Sequence, residues 1–231
     1  MLSIIIPVYN EKETFLRLLK AVESSPVKMV KEIIIIDDFS TDGTREMLKE
    51  LQKNPKYKIH FHVENRGKGK ALQTGFNLAT GKIIITQDAD LEYDPNDYQK
   101  IIDPILMGLA DVSYGSRFKN LKKDSKIMAT HYAGNKLLTK LSNILSGLNL
   151  TDMETGYKAF SRSALDKILP ELESERFGIE PELTARIAKK KLRLWEVPIS
   201  YRARSKDEGK KMRWRDGFPA LWAILKFNIF E

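Results

Sequence analysis

Glu32-Ile33-Ile34-Ile35-Ile36-Asp37-Asp38-Phe39-Ser40 is the stretch that decides the fold class. Four consecutive isoleucines leave no position for solvent, so this strand must be covered on both faces, as the inner strands of a parallel sheet are. The run stops at two aspartates and a polar turn, and an amphipathic stretch follows. Working outward, the same unit recurs on either side. Strands are expected over Leu2–Val8, Glu32–Ile36, Lys58–Val63, Lys82–Thr86 and Asp111–Tyr114, with helices near Glu11–Ser24, Asp42–Gln52, Gly69–Ala79 and Pro95–Met107. Repeated units of this kind imply an α/β protein with a doubly wound, mostly parallel sheet. Ligands of such sheets bind beyond the carboxyl ends of the strands, so the strand-end loops are where chemistry is expected.

Beyond Tyr114 the pattern is less regular. A helix is expected over Lys126–Leu145, a short strand over Gly156–Phe160, helices over Ser161–Ile168 and Glu180–Lys190, and a strand over Arg193–Ser200. The stretch Tyr201–Arg215 is dense in Lys and Arg. A terminal amphipathic helix over Asp216–Phe230 places Phe218, Leu221, Trp222, Leu225 and Ile229 on one face. No repeat or linker interrupts the chain, so the simplest division is one domain, 1–200, followed by a basic segment and helix, 201–231.

Of the 231 residues, 42% are hydrophobic and 30% charged, enough apolar material for a sizeable core and far from a disordered composition. The absence of cysteine excludes disulfides, thiolate metal sites and thiol nucleophiles. No apolar run approaches the roughly 20 residues of a membrane-spanning helix. The first strand begins at Leu2, so a cytoplasmic chain without a targeting segment is expected. The net charge of +8 is concentrated at one end: the chain from Arg186 onward carries 13 Lys/Arg against 5 Asp/Glu, and the rest is balanced. A basic tail on a neutral domain points to an anionic partner such as phosphate, nucleic acid or an acidic membrane surface, the alternative being a solvated charged face.

Carboxylates crowd the strand ends. In Asp88-Ala89-Asp90, alternation along an extended segment turns both acids to one side, with Glu92 continuing it. Such acids suit a hard divalent cation held by few carboxylates plus substrate phosphates. Asp94 accounts for capping the helix near Pro95 and leaves Asp88 and Asp90 for another task. Asp42 reads as a helix cap beside Gly43. Asp37 and Asp38 point opposite ways, one toward the cleft and one into the loop. Asn65-Arg66-Gly67-Lys68-Gly69-Lys70 is a glycine-rich basic turn opening a helix, able to meet phosphate through backbone N–H groups. It has neither Walker A nor dinucleotide-fingerprint spacing.

Taken together, Ile5-Ile6-Pro7-Val8-Tyr9-Asn10-Glu11, Ile36 to Thr44, Asn65 to Ala71 and Gln87 to Pro95 resemble the family 2 glycosyltransferases of GT-A fold. Tyr114 to Phe118, Thr151 to Phe160 and Glu196 to Ile199 narrow the resemblance to the polyprenyl-phosphate sugar synthases, the dolichyl-phosphate mannose synthases and polyprenyl-phosphate glucosyltransferases among them. The resemblance spans essentially the whole chain. It implies an inverting, metal-dependent enzyme that moves a hexose from a nucleotide-sugar, UDP-glucose or GDP-mannose, to a polyprenyl phosphate, with Mg2+ or Mn2+. Residues 1–115 become the nucleotide-sugar half and 116–200 the acceptor half. Pro7, Tyr9, Glu11, Asp38, Lys68, Lys70 and Asp88 match the positions around the nucleotide-sugar, and Asp88, Asp90 and Glu92 those of the metal. Arg117, Asp152 and Glu182 match the catalytic region, where Asp152 either orients or deprotonates. Arg204, Lys210 and Lys211 match residues for the acceptor phosphate.

The physical logic stands beside the name. A departing nucleoside diphosphate needs a divalent ion and basic groups as its charge develops. A lipid phosphate is already anionic and needs little help from a base. The basic flank and aromatic-rich face of the last helix fit an interfacial anchor that lies on a membrane surface, with an ordinary packed helix as its alternative. A saccharide or protein acceptor keeps the same fold and donor chemistry. A nucleic-acid module fits poorly: the tail aromatics fall on a helical face and do not alternate as a base-stacking platform, and the strand-end acids would repel a phosphate backbone.

Overall fold

The isoleucine run forms the centre of a sheet. In the computed structural model, which describes residues 1–119, 129–203 and 217–231, β1 (Leu2–Val8) pairs in parallel with β2 (Lys31–Asp37), Ile4 opposite Ile33. β3 (Tyr57–Phe61) lies parallel to β2 on its outer side, and β4 (Ile83–Thr86) parallel to β1 on the other. β5 (Val112–Ser116), β6 (Lys158–Ser161) and β7 (Leu194–Pro198) complete a seven-stranded sheet of order β3-β2-β1-β4-β6-β5-β7. All pairings are parallel except those of β6, which runs against both β4 and β5.

Both faces of β2 are covered, as its composition requires. Ile33 and Ile35 join Phe15 and Leu18 of α1 (Phe15–Ser24) and Ile101 and Ile102 of α4 (Tyr98–Leu106) in one core. Ile34 and Ile36 face the other way, toward Phe76 of α3 (Lys68–Leu78), Leu165 of α6 (Arg162–Ile168) and Leu183 of α7 (Ile179–Lys189). The remaining helices are α2 (Thr44–Leu51), α5 (Ala129–Ser146) and α8 (Gly217–Leu225), the last continuing into a π turn, Lys226–Phe230.

Two local expectations change. The first helix begins at Phe15, four residues after Glu11, whose carbonyl accepts the N–H groups of Thr14 and Phe15 as the chain turns. Gly43, at φ 96°, precedes α2 in place of Asp42, whose carboxylate accepts from Lys12 N and Thr44 N and so ties the loop after β2 to the loop after β1. Asp94 does cap the turn Pro95–Asp97, accepting from Asn96 N at 2.9 Å.

α8 packs through Ala220, Ala223 and Ile224, and the π turn through Phe227, against α7 and the core beneath it. Arg186 of α7 lies 5.2 Å from the Phe227 ring and 2.6 Å from Glu231, closing the tail onto the domain. The apolar face read from the sequence is turned outward: Phe218, Trp222, Ile229 and Phe230 are all more than half exposed.

Candidate active site

The parallel strands β1, β2 and β4 deliver their carboxyl ends to one edge of the sheet, and antiparallel β6 delivers its amino end to the same edge. Three of the four non-glycine residues with positive φ among the described residues follow these strands: Asn10 at 53°, Phe39 at 66° and Leu91 at 41°. Left-handed backbone is unfavourable for a side-chain-bearing residue, and its concentration on one rim marks loops held in a demanding shape.

The loop after β2 organises the basic turn. Asp38 is buried, and its carboxylate accepts from Gly67 N at 2.7 Å, Arg66 N at 3.0 Å and His62 Nδ1 at 2.8 Å. Lys70 N donates to Glu175 O. A Cβ on Gly69 would collide with Ser174 O, so the glycine here lets segment 174–176 lie against the start of α3. The N–H groups of Arg66, Gly67 and Lys70 are therefore engaged within the protein, which leaves those of Lys68 and Gly69, at the start of α3, as the backbone donors of the turn that could meet a phosphate.

What the turn presents instead is Lys68. Its ammonium lies 2.7 Å from Asp88 Oδ1 and 2.9 Å from Glu180 Oε1, a lysine bridging one acid from the loop after β4 and one from α7. Burial works to lower its pKa, and the two carboxylates outweigh burial and hold it well above the usual lysine range. Gly156 abuts the same place: a Cβ there would run into Asp88 Oδ2.

Beside this bridge sits a second ion pair. Arg117, at the end of β5, donates Nε and Nη2 to the buried Asp152 carboxylate at 2.7 Å each and its backbone N at 3.0 Å. This is the forked geometry that makes arginine–carboxylate pairs strong. Glu196 in turn accepts from Thr151 N and Asp152 N. Arg117 also lies 5.2 Å from the Tyr201 ring, and Tyr201 donates to Glu92 Oε2 at 3.0 Å. Tyr93 stacks on Tyr157 at 4.6 Å and accepts from Gly156 N, fixing the loop before β6 against the loop after β4.

Several sequence expectations shift. Glu182 is fully buried, with Oε1 accepting from Glu173 N and Oε2 from Ser174 N; it braces the segment that packs on Gly69, and the acid that α7 sends to the site is Glu180. Glu-Pro-Glu over 180–182 puts two acids on opposite sides of a helix, and nothing in the spacing says which side faces the cleft. Asp152 accepts from Arg117 with both oxygens and so orients that guanidinium. Pro7 sits within β1, opposite Ile36; Tyr9 is exposed and Glu11 buried at the start of the next loop. Arg204, Lys210 and Lys211 lie outside the described residues; Arg202, just before them, donates its N–H to Glu92 O.

A divalent ion is implied by the sequence, and the three-acid set does not fit it. Among the described residues no three His, Cys, Asp or Glu side chains are grouped to hold a metal. Glu92 is turned to Tyr201. Asp90 accepts from Glu92 N at 3.3 Å within its own loop, and Asp88 has the chemistry a cation needs. Asp88 already holds a cation, the Lys68 ammonium, and carboxylate oxygens are the donors a hard ion takes when diphosphate oxygens complete its shell.

One acid absent from the expected set is Glu154, in the loop between Asp152 and Gly156. Burial, reinforced by Glu180, pushes its carboxyl up to about 8 against the pull of Lys158 and Arg117. Lys158 is itself buried, donates to Met153 O and Thr155 O, and lies 4.6 Å from the Tyr114 ring. The only sequence signal for Glu154 was its place in the run from Thr151 to Gly156.

Comparison with known proteins gives a consistent picture. The glycosyl transferase family 2 model matches residues 3–169. An uncharacterized protein of Methanocaldococcus jannaschii is 32% identical over 98% of this chain and 92% of its own length. A UDP-N-acetylglucosamine–dolichyl-phosphate N-acetylglucosaminyltransferase of Methanococcus voltae is 32% identical over 86% of this chain and 84% of its own. Among solved structures, glucosyl-3-phosphoglycerate synthase of Mycobacterium tuberculosis, in complex with Mn2+, UDP and phosphoglyceric acid, superimposes with a TM-score of 0.73 at 18% identity, covering 99% of this chain and 78% of that one. At that identity the likeness is one of fold.

Proposed function

The chain belongs to glycosyl transferase family 2, and from that premise we propose that it transfers a hexose, with inversion, from a nucleotide-sugar to a polyprenyl phosphate. The observation that carries the reading is the pairing of two charged assemblies on one rim: Lys68 between Asp88 and Glu180, and Arg117 forked onto Asp152. The first is built to handle a diphosphate, the second to handle a further anion. The relative from Methanococcus voltae, by its name, uses a dolichyl phosphate acceptor, which supports the lipid phosphate over a saccharide or protein acceptor.

In this reading Pro7, Tyr9 and Glu11 frame the nucleotide base, and Asp38 shapes that pocket by holding the Arg66-Gly67 turn. Lys68 contacts the diphosphate, with Lys70 near it. Asp88 and Asp90 would hold Mg2+ or Mn2+ together with the diphosphate; the ion, when bound, neutralises the charge that gathers on the leaving group. Arg117 is the cation that meets the acceptor phosphate, locked in direction by Asp152. A phosphate oxygen of the acceptor attacks the anomeric carbon as its bond to the diphosphate oxygen breaks. An already ionised nucleophile needs no base, in keeping with the engaged state of Asp152. Arg204, Lys210 and Lys211 supply further positive charge for the lipid phosphate. The enzyme is proposed to work as a peripheral protein on the cytoplasmic face of a membrane. No helix among the described residues is long and apolar enough to cross one.

The test is direct. The purified chain is incubated with vesicles carrying undecaprenyl or dolichyl phosphate, labelled UDP-glucose, UDP-N-acetylglucosamine or GDP-mannose, and Mg2+ or Mn2+. Label from one donor should enter the organic phase as a sugar phosphate lipid, only with the ion present. Hydrolysis or transfer to a soluble saccharide without lipid product would overturn the acceptor assignment.

A further inference from the structure

Glu154 Oε1 is buried and has no hydrogen-bond partner. Buried polar atoms are paired almost everywhere in folded proteins, because leaving one unpaired forfeits its hydration with nothing in return. The other such atoms among the described residues, Ser113 Oγ, Ser142 Oγ and Arg186 Nε, belong to β5, α5 and α7 and not to the strand-end loops. Glu154 stands between the two assemblies of the site. Asp152, on one side of it in sequence, holds Arg117, and Gly156, on the other, abuts Asp88.

The carboxylates around it are already engaged. Asp152 is forked onto Arg117, Asp88 and Glu180 share Lys68, and Glu182 accepts two backbone N–H groups. An open carboxyl oxygen in such a place is a hydrogen-bonding position waiting for a ligand. We propose that Glu154 reads a hydroxyl group of the sugar being transferred, and so helps select the donor.

The chemistry favours a hydroxyl over the other groups a donor or acceptor brings. A phosphate finds its partners in the cations, Lys68 on one side and Arg117 on the other, and a carboxyl oxygen beside Glu180 offers it no positive charge. A hydroxyl both donates and accepts, so it pairs with this carboxyl whether or not the carboxyl carries its proton. The position agrees as well: the transferred sugar must lie between the diphosphate, at Lys68 and Asp88, and the acceptor, at Arg117. The inference rests on the proposed reading of the site as a sugar transferase.

The experiment uses the full chain, the donor found active in the lipid-product assay, and its monodeoxy sugar analogues, with wild type, Glu154→Ala and Glu154→Gln. Affinity for the matching nucleoside diphosphate with Mn2+, read by calorimetry, should be the same in all three. For the parent donor, kcat/KM should fall by at least about tenfold in Glu154→Ala, with partial recovery in Glu154→Gln. One deoxy analogue, disfavoured by wild type to a similar degree, should be used equally by wild type and Glu154→Ala. Equal losses on the parent and every analogue, or no loss, would overturn the inference and leave the transferase reading intact. If wild type yields no lipid-linked sugar from any donor, that reading falls and the inference falls with it. Should Glu154→Ala not fold, the isosteric Glu154→Gln carries the same comparison: it must narrow the gap between the parent donor and one analogue, and an unchanged gap for every analogue counts against the proposal.

Discussion

Lys68 does two things that pull against each other. Its ammonium neutralises Asp88 and Glu180 in the free protein, and in the proposed reaction it must turn to the diphosphate while Asp88 takes a divalent ion. Lys68→Met should therefore cut transfer by about a hundredfold, on the scale of removing one preorganised charge-stabilising group. The same substitution frees Asp88, so Mn2+ should bind the nucleotide-free variant more tightly than wild type, as read by electron paramagnetic resonance. Weaker Mn2+ binding would show that Lys68 supports the metal position and does not compete for it. The forked pair offers a second check. Arg117→Lys keeps the charge but not the two parallel bonds, leaving the buried Asp152 poorly matched; unfolding free energy should drop by about 3 kcal/mol in a denaturant titration. Glu154 sets a pH dependence. Its carboxyl titrates at about 8 in the folded chain, against an ordinary value of 4.5, because it is buried beside Glu180. The folded state then holds a proton that the unfolded state has released, so its contribution to stability is full below about 4.5 and is lost as pH rises through about 8. The neighbouring Lys158 is shifted the other way, from 10.5 down to about 8, so stability rises with pH on its account only above about 8, beyond the range of the thermal comparison. Thermal unfolding of wild type against Glu154→Gln between pH 5 and 8 should show wild type losing ground steadily and the variant staying flat relative to it. Parallel curves would mean that Glu154 titrates normally.

At the scale of elements, periodicity was a good guide wherever a strand or helix is covered in a regular way. The isoleucine runs identified β1, β2 and β4 because alternate residues enter two different cores, and the polar turns ended them at the right place. Strand direction lay beyond it: β6 has the same composition whether parallel or not, and its antiparallel pairing is made with β4 and β5, both far from it in sequence. The site divides similarly. Asp88 follows a strand end and Lys68 lies in the glycine-rich turn, so the fold class pointed to both, whereas Arg117 and Asp152 came from the motifs that carry the family resemblance, Tyr114 to Phe118 and Thr151 to Phe160. Glu180 and Glu182 differ by two positions on α7, and only packing against segment 173–176 separates the brace from the site residue. The glycine turn belongs to the same lesson. The sequence shows a glycine-rich turn from Asn65 to Lys70, but what requires glycine at 69 is the backbone of Ser174 pressed against it, which lies far away in sequence. Gly69→Ala should destabilise the chain by about 2 kcal/mol, the scale of overpacking a tight contact. Because segment 174–176 sits over the start of α3, it should also weaken nucleotide binding, measured by calorimetry with UDP and GDP. An alanine variant as stable as wild type would contradict the close approach.

Along the chain the positive charge gathers toward the C-terminal end of an otherwise neutral α/β body, and that end also carries exposed aromatic residues. Trp222 and Phe230, 60% and 68% exposed, lie 6.3 Å apart, and Phe218, Leu221 and Ile229 extend the patch. α8 is already anchored through Ala220, Ala223, Ile224 and Phe227, so this face is surplus to the packing of the domain. Aromatic residues beside a stretch rich in Lys and Arg fit the boundary of an anionic bilayer, where the rings enter the headgroup region and the basic residues meet phosphate. That arrangement would hold the catalytic rim close to a lipid acceptor that cannot leave the membrane. Burying one such side chain is worth about 2 kcal/mol, so Trp222→Ser combined with Phe230→Ser should weaken binding to phosphatidylglycerol vesicles by at least about a hundredfold. Neither residue is near Lys68 or Arg117 in the interactions of the site, so nucleotide affinity should be unchanged. Transfer to a long polyprenyl phosphate in vesicles should fall with vesicle binding, and transfer to a short, water-soluble polyprenyl phosphate should not. Unaltered vesicle binding in the double variant would count against a membrane role for the patch.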